Sequence, residues 1–81
     1  MSDAASAALS RLFEMVAGKQ LLADAGTDGT VSERVQRAIK VTELAIKVSK
    51  EIGDQKTYGQ SLRRLSALQD LLTVSEALST P

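Results

Sequence analysis

Histidine, cysteine and tryptophan are missing from this 81-residue chain, and Phe, Tyr and Pro occur once each. Each gap closes a class of function. Without His and Cys there is no Ser–His–Asp or Cys–His nucleophile system, no His- or Cys-ligated metal centre and no disulfide framework. With so few rings, Leu, Val, Ile and Ala must fill the core, which suits closely spaced helices. The same lack leaves no row of aromatic platforms on which nucleobases could stack. Ten basic and ten acidic residues cancel, which removes the bulk pull expected of a general nucleic-acid or anionic-membrane binder. Zero net charge also leaves solubility without charge repulsion, a state better tolerated when a partner covers apolar surface. No run approaches 18 apolar residues, so no membrane span is expected. The opening MSDAASAALSRLFEMVAG lacks a basic start and an unbroken apolar block, so no secretory leader is read there and a cytoplasmic setting is expected.

Period-2 alternation never persists, so strands are not expected. Helical periodicity does persist, and residues 1–81 read as one all-α domain, a small three-helix bundle. In the first segment Ala5, Ala8, Leu9, Leu12, Phe13 and Val16 recur at helical spacing. Lys19 and Gln20 fall where that stripe should continue. Helix 1 is therefore expected over 4–17, ending near Gly18, or less tidily as far as 24, with Leu21 and Leu22 then pointing away from the first stripe. A glycine turn, AGTDGT, follows at 25–30. Thr30-Val31-Ser32-Glu33 fits a capping box and starts helix 2, expected over 31–52. Its apolar residues spread over roughly 220° at 100° per residue, wider than the stripe of a helix buried on one side, so helix 2 should be the central element. Glu33–Arg37 and Glu43–Lys47 stand at i,i+4 in the favourable order.

Gly53 suits a helix C-terminus and Asp54 an N-cap. A connection this short makes helices 2 and 3 a long antiparallel hairpin. Helix 3 is expected over 55–78, with Tyr58, Leu62, Leu65, Leu68 and Leu72 as its packing seam. Beyond Leu72 the apolar face moves: Glu76 takes the seam direction, and Leu71, Val74 and Leu78 lie about half a turn away, joined by Ala67. Burying such side chains stabilises by about 1.5–3 kcal/mol each. Either helix 1 or another chain must cover them.

Chemistry-bearing motifs are few. Asp24, Asp28 and Glu33 surround a glycine turn and read as turn and capping residues, without the alternating ligands of a calcium loop. Ala17-Gly18-Lys19-Gln20 lacks the first Gly and the Ser/Thr of a phosphate loop. Gly26-Thr27-Asp28-Gly29 has a GxxG form but no sheet to present it. Arg63-Arg64-Leu65-Ser66 resembles a basophilic phosphorylation sequence at Ser66, and reads first as a solvated helix turn. These readings imply no catalytic residue, cofactor, metal or small-molecule substrate. The expected function is non-catalytic: a helical protein–protein interaction module, such as an adaptor, assembly factor, chaperone or antiactivator, that packs helices against another protein chain or against itself as a homo-oligomer. The expected interface residues are Leu71, Val74 and Leu78, then Leu44 and Val48. The alternative is a nucleic-acid-binding accessory using Arg34, Arg37, Lys40, Lys47, Arg63 and Arg64.

Overall fold

The computed structural model describes residues 3–79. Three helices follow in order: α1 (Asp3–Ala25), α2 (Val31–Ile52) and α3 (Gln55–Ser79). They form a three-helix bundle measuring 44 × 20 × 16 Å, in which the antiparallel pair α2–α3 makes the most extensive contact. No strand occurs among the described residues.

Local chemistry sets the helix ends. Thr30 caps α2 in a full capping box: its hydroxyl accepts from the Glu33 N–H at 3.2 Å, and the Thr30 N–H donates to Glu33 Oε1 at 3.1 Å. α2 ends at Gly53 in the left-handed region (φ 77°), which lets its N–H reach back to the carbonyls of Ser49 and Lys50. Asp54 then caps α3, its carboxylate accepting from the Thr57 N–H at 3.1 Å and the Thr57 hydroxyl at 2.6 Å.

Both capping carboxylates are held below their ordinary values. For Glu33 the cause is first the Thr30 backbone N–H, then its hydroxyl; for Asp54 it is the Thr57 hydroxyl, then its N–H. A depressed folded value means that the contribution is complete above the unfolded values near 4.5 and 3.8 and fades as pH falls through the lower folded ones. The thermal midpoint followed by circular dichroism should therefore drop on acidification below about pH 4.5. A Glu33→Gln/Asp54→Asn variant, which removes both titrating carboxyls, should show a shallower drop. An equally steep decline would exclude these two caps as its source.

α1 takes the longer of its two expected courses, with a bend. It continues past Gly18 to Ala25, but Gly18 itself is non-helical (φ 77°, ψ 170°), so two helical pieces meet at a bend. The contacts trace the path. Phe13 lies beneath the Arg34 guanidinium, Leu21 reaches a cleft beside Val41, Thr42 and Ala45, and the Ala25 carbonyl is back at Arg37. The chain advances along α2, turns at Gly18 and returns toward the start of α2. That bend corrects the expectation for Leu21. Instead of pointing away, it joins Leu9, Phe13, Ala17 and Ala25 in a buried row with a step of four. Leu12, expected in the stripe, lies on the exposed side of that row.

α3 is corrected in the same sense. Its buried line is Ser61, Leu68 and Ser75, a step of seven, while Leu62 is exposed and Leu65 and Leu72 are half-buried. Ser75, not Glu76, continues the line beyond Leu72. Facing it, α2 buries Val35, Ala38, Thr42 and Ser49. The core is thus Phe13, Ala17, Leu21, Ala25, Val35, Ala38 and Leu68, with small hydroxyl side chains continuing it along the α2–α3 line. Three of those hydroxyls are bonded within the protein: Thr42 donates to the Ala38 carbonyl and Ser49 to the Ala45 carbonyl, both at 2.7 Å, and the Ser75 and Ser32 hydroxyls bond each other across the two helices. Among the described residues no buried side-chain nitrogen or oxygen lacks a hydrogen bond.

Candidate functional site: apolar faces left open by α1

α1 lies in the groove between α2 and α3. Arg64 of α3 donates to the Val16 carbonyl at 3.3 Å, and Val16 shares a shallow depression with Gln60, Arg63, Arg64 and Ala67. Because the chain turns at Gly18, α1 covers this groove near residues 34–45 of α2 and stops short of the Gly53 end of the hairpin. The α2 flank beyond it remains open. Leu44, Val48 and Ile52 are 61%, 46% and 71% exposed. At 100° per residue they continue the flank that Val41 and Arg37 present beside α1.

The five expected interface residues fall into two groups. Leu44 and Val48 lie together on this open flank of α2. Val74 and Leu78 lie near the end of α3 and are 48% and 45% exposed, whereas Leu71 is half-buried and packs against the core. Leu71 is thus separated from the two residues grouped with it in the sequence. The broad apolar arc of α2 is buried on the α3 side and, for Leu44, Val48 and Ile52, bare on the other. Sequence reasoning passed over Ile52 on α2, Leu12 and Met15 on α1, and Leu62 on α3, all of them exposed. Ile52 was legible as part of the α2 arc. Leu12 was not, because its exposure depends on where the neighbouring helices lie.

The six basic residues of the alternative reading do not form one surface. Arg34 stacks on Phe13 at 5.3 Å from the ring centre and donates to the Gly26 carbonyl at 3.3 Å. Arg37 donates to the Ala25 carbonyl at 2.6 Å and to the Asp28 carbonyl. These two cations serve the carbonyl end of α1, where a helix dipole favours positive charge. Arg37 thereby turns to the loop instead of closing an ion pair with Glu33. With Arg64 held at Val16, only Lys40, Lys47 and Arg63 of the six have no such backbone bond. Ser66 is exposed on α3, beside the half-buried Leu65.

Other sites offer little chemistry. A mixed cleft of about 200 Å³ lies between the three helices, where Gln20, Leu21, Asp24, Thr42, Ser61 and Arg64 meet. Among the described residues no three acidic side chains gather as a metal site, and no helix is long and apolar enough to cross a membrane. Compared with family models, curated proteins and solved structures, the chain shows no significant match to any of them.

Proposed function

We propose that this chain is a non-catalytic protein-binding module that works by packing its open helical faces against another helix. It would act as an adaptor, assembly factor, chaperone or antiactivator, in a cytoplasmic setting and with self-association among its modes. The observation that carries this reading is the α2 flank Leu44–Val48–Ile52, three large aliphatic side chains one turn apart with no element of the described residues laid over them. Side chains four apart fall on one face of a helix, and such an apolar stripe is what packs against a partner helix. Val74 and Leu78 supply a second, smaller face of the same kind. The nucleic-acid alternative is disfavoured because three of its six cations are spent on backbone carbonyls.

Affinity capture from the native host tests the reading. The wild-type chain should hold a defined protein, or further copies of itself, that a Leu44→Glu/Val48→Glu variant releases. Retention of the same proteins by the folded variant, or a wild type that holds nothing, would end it.

A further inference from the structure

We propose that the occupant of the Leu44–Val48 face is α2 of a second copy of this chain, laid antiparallel. This rests on the protein-binding reading and names the partner for that site.

α2 matches a reversed copy of itself in register and in charge. Arg37, Val41, Leu44, Val48 and Glu51 recur at steps of four, three, four and three, the seam spacing of paired helices. Set Leu44 of one copy against Val48 of the other, and a two-fold axis falls at position 46. Lys40 lies six residues before that point and Glu51 five after it. In the antiparallel pair they come within about 1.5 Å of the same height, one residue's rise.

They also lie on one side. Eleven residues make almost three whole helical turns, so Lys40 and Glu51 project in nearly the same direction, and both fall on the same side of the line through Leu44 and Val48. A two-fold axis perpendicular to both helices brings like side to like side. Each Lys40 therefore meets Glu51 of the second copy, and the contact forms twice. On the opposite side of the seam, Val41 (five before the axis) meets Ile52 of the second copy (six after it). Ile52 is the most exposed of the three aliphatics, and Val41 is half-buried. Lys47 lies about 20° further round than Lys40 and one residue past the axis, so the two Lys47 approach each other on the Lys40 side, with Glu43 of each copy about two residues away in height from the other's Lys47.

Within one copy Lys40 and Glu51 are both exposed, and neither has an ion-pair partner among the described residues. The pattern Lys–Leu–Val–Glu complements itself only when reversed. A parallel pairing has its two-fold along the helices and brings unlike sides together, which would set Lys40 beside Val41 and Glu51 beside Ile52 of the second copy and leave both charges unmatched. α1 ends its cover short of Val48 and Ile52, which leaves that end of the face open to a second helix.

Sedimentation equilibrium on the full chain at low salt, with circular dichroism as a check on folding, decides the matter. The wild type should be a dimer, and Leu44→Glu a folded monomer. Lys40→Glu and Glu51→Lys should each weaken the dimer by roughly tenfold, since two exposed pairs turn repulsive. The combined Lys40→Glu/Glu51→Lys chain should recover most of that loss, because the pairs re-form with signs exchanged. A wild type that stays monomeric at millimolar concentration overturns the proposal, as does a double variant no tighter than the singles. A monomeric wild type that captures a different protein through Leu44 and Val48 would overturn the second copy and leave the protein-binding reading intact.

Discussion

Phe13→Ala is expected to destabilise the chain by about 3–5 kcal/mol, enough to leave most molecules unfolded. A domain of this size rarely holds more than about 3–5 kcal/mol from its core. Phe13 is the only phenylalanine, is fully buried, and joins α1 to Val35, Ala38 and Leu68. No other ring stands near to refill the space. Truncation also removes the face on which Arg34 rests, a contact worth about 0.5–1 kcal/mol at a partly exposed site. Arg34 would then keep only its bond to the Gly26 carbonyl. Urea titration followed by circular dichroism measures the loss, with Phe13→Leu as the comparison that retains most of the volume. A loss below about 1 kcal/mol for Phe13→Ala would mean that the site collapses around the gap and that α1 contributes little to the core.

Gly18→Ala should cost about 1–3 kcal/mol, the range for backbone held in a conformation that is essentially restricted to glycine. Space is not the obstacle: a Cβ at Gly18 would meet nothing within 4 Å. The obstacle is φ 77° with ψ 170°. The variant can relieve the strain only by letting α1 run straight, and that would take either Phe13 or Leu21 out of the core. Gly59 supplies the opposite case. It lies inside α3 without a positive φ, and its added Cβ would meet only the Arg63 side chain at 3.7 Å. Gly59→Ala should therefore stabilise by about 0.5–1 kcal/mol. Denaturant midpoints of the two variants should move in opposite directions. A neutral Gly18→Ala would show that the bend is not needed for stability.

Much of the architecture was legible because it depends on near neighbours. The capping box at Thr30, the Gly53 terminus and the Asp54 cap are settled within a few residues, and the helix boundaries of α2 and α3 follow from them. The α1 bend was not legible. Gly18 could stop a helix or turn one, and only the fit of Leu21 beside Val41 and Ala45 selects the turn. α3 misled in a different way. Leucines attract attention in a sequence, but the line that meets α2 is Ser61, Leu68 and Ser75, since small residues fit where two helices run close for several turns. Leu62, one position from Ser61, is displaced to the surface by that choice. For the candidate site, the aliphatic surplus of α2 was visible as an arc too wide for one neighbour. Which part of it stays bare was not, because that depends on how far α1 reaches.

The hydroxyl pair Ser32–Ser75 also bears on how this chain can diverge. It ties the start of α2 to the end of α3, and Ala38, Thr42, Ser49 and Ser61 lie between it and the Gly53 turn. A larger side chain at any of these places would wedge the hairpin apart, while an exposed leucine outside the Leu44–Val48 face, such as Leu62, meets no such limit. Chains that keep this close hairpin should therefore keep small side chains at 38, 42, 49, 61 and 75, even where their leucines differ.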